Sequence, residues 1–292
     1  MTIETILQAL ANGAVLGLLY TAVALGLSLT LGVLGIVNMA HSALLIASSL
    51  LTWQLVNALG LHPLIAVVVI VPVFFGVGAL IEHLLLRPVR RQPESTGLLL
   101  LFGLLIIVES LALAAFTTDP RTLRLGEFGQ PVTLGPVTVT LNRLAAAALG
   151  GLGALLLYLF LDRTMVGRAT RAMADNRDAA AVMGIDTSRL STLVFAIGVA
   201  LAALAGVALA MSFTFSPQEH VRWLAWAFLI VVIGGLGSVP ATVAAGLIVG
   251  VVESFAGLLF PFQYVHLVIY AMLAIALVTR GGGLMAAATR RL

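Results

Sequence analysis

Nine apolar runs, at about 7–34, 36–57, 63–86, 97–116, 144–161, 190–213, 223–234, 241–260 and 264–279, follow one another with little polar sequence between them. A bilayer's hydrocarbon core takes about 20 helical residues to cross, so every run except the short one at 223 is long enough to span it. Inside lipid each backbone N–H and C=O has to be satisfied within its own segment, which makes helices the element for such runs. Hydrophobic residues are 61% of the 292 positions and charged residues only 9%, too few to cover a water-soluble surface of this size. The sequence therefore predicts an all-α integral membrane protein, a polytopic helical bundle of eight to nine transmembrane helices forming one domain over 1–292.

The charges say which way the bundle sits. All fifteen cationic residues are Arg, and eleven of them occupy three stretches: Arg87, Arg90 and Arg91; Arg163, Arg168, Arg171, Arg177 and Arg189; Arg280, Arg290 and Arg291. Short Arg-rich connectors stay in the cytoplasm. Arg121, Arg124, Arg143 and Arg222 fall in the alternate connectors, where the long 117–143 loop also carries Asp119 and Glu127. Nine crossings with the N-terminus outside and the C-terminus cytoplasmic satisfy this alternation, and eight do so if 223–238 only dips into the membrane. The opening Met1-Thr2-Ile3-Glu4-Thr5 has an acid and no base, unlike a cleaved signal, so the first run is read as a retained span. In the external 117–143 loop, Val132-Thr133 and Val137-Thr138-Val139-Thr140, set among Gly129, Pro131, Gly135 and Pro136, predict a small hairpin or extended loop.

Several function classes drop out. The sequence pI of about 9.9 comes from Arg in connectors beside spans, the place of topology determinants, so nucleic acid is not an expected partner. With no Cys there is no disulfide, thiolate metal site or cysteine nucleophile. His62, His220 and His266 lack metal-ligand spacing, and no metal site is expected. A chain without Lys cannot contain a P-loop, so any ATP-Mg is held by partner subunits.

The most informative segment is the connector 162–189. Ala169, Ala172, Met173, Asn176, Ala179, Ala180 and Met183 form a helical stripe opposite Arg168, Arg171, Asp175 and Asp178. Arg171 and Asp175 are spaced as an i,i+4 pair, and Gly184 is a natural stop. The expectation is one short amphipathic helix over 168–183. Its apolar face is Ala and Met, without the Trp, Phe and Leu favoured by helices that lie in headgroups, so docking into a protein groove suits it better.

From Gly167 to Asp186 this connector resembles the coupling loop of the shorter permease subunits of branched-chain amino acid ABC importers. The stretches Asn12–Tyr20 and Gly32–His41, and Gly234-Gly235-Leu236-Gly237-Ser238, are similar to the same family's opening and late turn. Ser42 stands where the family's pattern has Gly. The resemblance implies a bacterial inner-membrane importer in which a second homologous permease pairs with this one, two cytoplasmic ATPases grip the coupling helices, and an external binding protein delivers the solute. It implies ATPase coupling through Gly167, Arg168, Arg171, Ala172, Met173, Asp175, Asn176, Ala179, Ala180, Met183 and Gly184, and leucine, isoleucine and valine as solutes, with urea or short amides also carried by similar permeases.

Polar residues inside the runs are the remaining candidates. Asn38 and His41 either line the translocation path or satisfy backbone groups freed by a helix break. Glu109 and Glu253 either meet the solute or are neutral packing residues, and a secondary transporter using one as a proton carrier is the competing function. An intramembrane enzyme is disfavoured, because adjacent His41 and Ser42 make a poor dyad and no nucleophile elbow is present. Glu82 and His83 are expected to snorkel toward the interface, and Trp53, Trp223, Trp226 and Tyr264 to anchor span ends. Gly13 with Gly17, and Gly246 with Gly250, are spaced for close helix packing.

Overall fold

The computed structural model describes residues 2–90, 92–123 and 126–279. Arg91, Arg124, Arg280, Arg290 and Arg291, used above to orient the chain, lie outside the described residues. Among the described residues, seven helices are long and apolar enough to cross a membrane. They are α1 (Ile3–Leu34), α2 (His41–Leu59), α3 (Pro63–Ile81) with its continuation through α4 (Arg87–Val89), α5 (Glu94–Phe116), α6 (Leu141–Arg163), α9 (Thr187–Ser212) and α11 (Val239–Leu259). Between α6 and α9 lie α7 (Met165–Asp175) and α8 (Arg177–Val182). Two shorter helices, α10 (His220–Gly234) and α12 (Phe262–Thr279), complete the bundle.

Helix α1 is the axis, with α11, α9, α6 and α10 packed around it. The glycine spacing read from the sequence is realised as a seam. A Cβ on Gly13 would come within 2.6 Å of Val251 Cα, and one on Gly250 within 2.4 Å of Gly13 O. With no lipid-water difference to drive helices together, such backbone proximity is how membrane helices gain packing and weak polar contacts. Helix α9 uses the same device elsewhere: a Cβ on Gly26 would lie 2.3 Å from Gly198 O, and one on Gly206 2.3 Å from Leu45 O. Ser48 and Ser49 of α2 donate to the carbonyls of Ala203 and Gly206 across that contact, at 3.3 and 2.8 Å.

The expected hairpin forms from β1 (Pro131–Leu134) and β2 (Val137–Thr140), paired antiparallel across a turn with Gly135 at φ 64°. Gln8 holds it to the start of α1, donating to Thr138 O and accepting from Thr138 N–H, both at 2.8 Å. The connector helices α7 and α8 are at the opposite end of the bundle.

The tryptophan expectation needs correcting. Trp223 and Trp226 are 1% and 0% exposed, because α10 is enclosed by neighbouring helices and its rings fill the interior. Trp223 meets Tyr20 and Phe213 at centroid distances of 6.2 and 5.4 Å, and Trp226 meets Tyr270 at 5.6 Å. Trp53 is half-buried and carries the Arg121 guanidinium 4.1 Å from its ring, while Tyr264 is exposed.

Candidate functional site

Two places concentrate the candidate residues: the connector and a break between the first two spans. In the connector the single expected helix is two. Asn176 is extended at φ −157° and ψ 107°, ending α7, and its Oδ1 accepts the Ala179 N–H at 2.9 Å to cap α8. The physical reason is the short amide side chain, which competes with the helical backbone and favours a cap over an interior position. Gly184 closes α8 at φ 86°, with Ile185 N–H reaching Ala180 O and Gly184 N–H reaching Ala181 O. A left-handed residue at this point satisfies the last carbonyls of the helix.

The predicted stripe divides between two surroundings. Gly167, Met173 and Ala180 are buried against the bundle, where Met173 and Ala180 join Leu25, Leu29, Leu161, Leu190 and Val194. They fasten the connector to the bundle and are therefore unavailable as a docking face. A Cβ on Gly167 would lie 2.0 Å from Phe160 O, which holds α7 tight against the end of α6. Arg168, Arg171, Ala172, Asp175, Asn176, Ala179, Met183 and Gly184 are exposed, and Val182 and Met183 reach 87% and 81% exposure. Arg171 pairs with Asp162 at 3.2 Å, so the expected i,i+4 bridge to Asp175 is replaced by one to the end of α6. At the far side, Asp186 caps α9 by accepting the N–H groups of Ser188 and Arg189 at 3.1 and 3.0 Å. The Arg189 N–H bond in particular holds its carboxyl below the usual range.

The break spans residues 35–40, after Gly35 ends α1 at φ 68°. His41 begins α2 and donates from Nε2 to Val23 O at 2.8 Å. Val23 lies eleven residues before Leu34, so the chain has returned about 16 Å along α1 before α2 starts. The first turn of α2 therefore lies beside the interior of α1 and not at its end. Asn38, His41 and Ser42 are 0–1% exposed. Both side-chain atoms of Asn38, His41 Nδ1 and Ser42 Oγ lack hydrogen-bond partners among the described residues. His41 thus satisfies a backbone carbonyl from its buried position. Among the described residues, Asn38 and His41 are closed off from the surface.

The two intramembrane glutamates are also held by protein. Glu253 accepts the Trp226 indole N–H at 3.0 Å, and Glu109 lies 3.8 Å from His220 Nδ1. They stand on different helices, α11 and α5, and are not brought together with Asn38 and His41. Glu82 departs most from expectation: it is 1% exposed, paired with Arg90 and bonded by Thr192, while neighbouring His83 is exposed beside Arg87. Sequence reasoning missed this knot because Glu82 and Arg90 are eight apart, a spacing that an uninterrupted helix does not bring together. Among the described residues there is no group of His, Asp and Glu fit to hold a metal ion.

No solved structure matches this chain. Among characterised sequences, it is 30% identical over 96% of its length, and 95% of the relative's, to the high-affinity branched-chain amino acid transport system permease protein BraD of Pseudomonas aeruginosa. It is 28% identical, with the same coverage, to the LivH permease protein of Escherichia coli K12, and 26% identical over 81% of its length to a probable LivH of Methanocaldococcus jannaschii covering 76% of that protein. The family model described as the permease component of branched-chain amino acid transport systems matches residues 9–277. A match that begins in the first turns of α1 and runs to the end of α12 takes in the glycine seam, the break and the connector alike, and so the chain belongs to the branched-chain amino acid transport permease family.

Proposed function

We propose that this protein is the membrane permease subunit of an ABC importer that moves leucine, isoleucine and valine into the cytoplasm by alternating access. The observation that carries the reading is the family match across 9–277, with relatives named as high-affinity branched-chain amino acid permease proteins. It favours this function over an ion-coupled transporter, and Glu109 and Glu253 already have neighbours in His220 and Trp226.

In this reading the connector end is cytoplasmic and the hairpin end external, with the protein in the bacterial inner membrane. Helices α10 and α12 complete nine crossings, although the fifteen residues of α10 make about 22 Å, short of a full hydrocarbon core. The connector helices are the coupling element: Met173 and Ala180 root them, and Ala172, Ala179, Val182 and Met183 offer small and flexible apolar contact to a cytoplasmic ATPase. A second homologous permease, two ATPases carrying ATP-Mg and an external binding protein complete the assembly. Asn38 and His41 act at the break, which moves when the bundle changes the side it opens to.

The test is reconstitution with the partner subunits. Ala172→Glu, and a bulky residue at Gly184, are expected to lower ATP-driven uptake while leaving membrane insertion intact. Normal uptake and normal ATPase co-purification in both variants overturn the coupling role. The solute is settled by titrating amino acids, urea and short amides against the binding protein that works with this permease.

A further inference from the structure

The knot around Glu82 has a geometry that packing alone does not require. At the end of α3 the chain makes a single π turn, Glu82–Leu86, in which the Arg87 N–H bonds to Glu82 O five residues back. Pro88 accounts for it: in an α-helix its ring would strike the Leu84 carbonyl and leave it unbonded, and a widened turn removes the collision. The extra residue turns Glu82 inward and brings Arg90 back over it. One Glu82 oxygen takes the Arg90 guanidinium and the other the Thr192 hydroxyl. Arg90 also donates from Nη1 to Ser188 Oγ at 3.0 Å and from Nη2 to Ser188 O at 3.3 Å.

Ser188 and Thr192 stand in the first turns of α9, directly after the connector. On the same stretch, Ser191 receives Arg177 of α8 at 3.2 Å and lies 3.9 Å from the Met173 sulfur of α7. The connector helices, the root of α9 and the end of α3 therefore form one chain of polar contacts. Burying an ion pair adds little net stability, since desolvation offsets the attraction and apolar residues of the same size serve as well. What an ion pair with three further hydrogen bonds does supply is a fixed relative placement of two helices.

We infer that Glu82 and Arg90 are positioning residues for transport, clamping the root of α9 to α3 so that a displacement of the connector helices reaches α3 as one rigid movement. The inference rests on the coupling reading of residues 162–189. Two-state transmission of this kind needs elements that move together, and a clamp of low exposure provides that.

The experiment uses the complete transporter in proteoliposomes, with solute taken up per ATP hydrolysed as the readout. Glu82→Gln is expected to lower that ratio at least about fivefold while ATPases still co-purify and hydrolyse ATP. Arg90→Lys keeps the charge without the planar fork and is expected to fall between. Because Glu82→Gln alone leaves Arg90 uncompensated, the double variant Glu82→Leu with Arg90→Met keeps the test valid: it is expected to fold, and to be as uncoupled as the single change. An unchanged ratio in the folded double variant overturns the clamp. So does a parallel fall of uptake and hydrolysis that follows melting temperature, which marks a structural role only. Failure of the underlying reading is separate, since it shows as normal uptake and ATPase binding in Ala172→Glu.

Discussion

Small residues line both the α1–α11 seam and the connector helices, yet they do opposite things. Gly13, Gly17, Gly246 and Gly250 are buried so that two backbones touch. Ala172 and Ala179 are small and remain exposed, beside Met183, on helices that bury Gly167, Thr170, Met173 and Ala180 against the bundle. In the seam, size is a condition of folding. In the connector, it leaves a surface that the bundle does not use. The same composition therefore marks the rigid axis of the molecule in one place and a free face in the other.

The sharpest way to break that contrast is Gly250→Val, whose first side-chain carbon alone would sit 2.4 Å from Gly13 O. Overpacking with no room to relax is expected to cost about 3 kcal/mol or more, seen as a large fall in melting temperature in detergent and in the yield of folded protein. Met173→Ala comes next, removing a buried side chain from beneath the connector. It is expected to cost about 2 kcal/mol and to expose 165–184 to proteolysis before the rest of the chain. Asn176→Ala removes the cap of α8 and is expected to cost about 1 kcal/mol, read as faster amide exchange confined to 177–182. Met183→Ala, on the open face, should change stability by less than about 0.5 kcal/mol. Its expected effect is weaker ATPase co-purification, and a melting shift as large as that of Met173→Ala would erase the distinction drawn here.

Much of the fold was legible because bilayer physics writes long signals: a run of twenty apolar residues, a cluster of Arg, a four-residue glycine spacing. The connector was legible in its location and less so in its shape. A helical stripe gives the period of a face and not what covers it, so Met173 and Ala180 read the same as Ala172 and Ala179 until α9 and α1 are in place. Asn176 carried a cap signal in its residue type, overridden in the reading by the periodicity on both sides. Glu82 looked like an interfacial acid from its distance to Arg87, and Trp223 and Trp226 like anchors from their place near a span end. Both expectations fail for one reason, that distance along the chain fixes depth in the membrane and not which side of a helix faces protein.

By itself, then, the sequence determined a multi-pass helical protein and the position of its connector, since hydropathy and loop charge act locally along the chain. Tertiary structure alone decided that α2 starts beside Val23 of α1, that Glu82 and Arg90 meet Thr192 and Ser188 of α9, and which half of the connector stripe is covered. Those outcomes depend on helices far apart in sequence meeting at backbone distance, a property that no local pattern encodes.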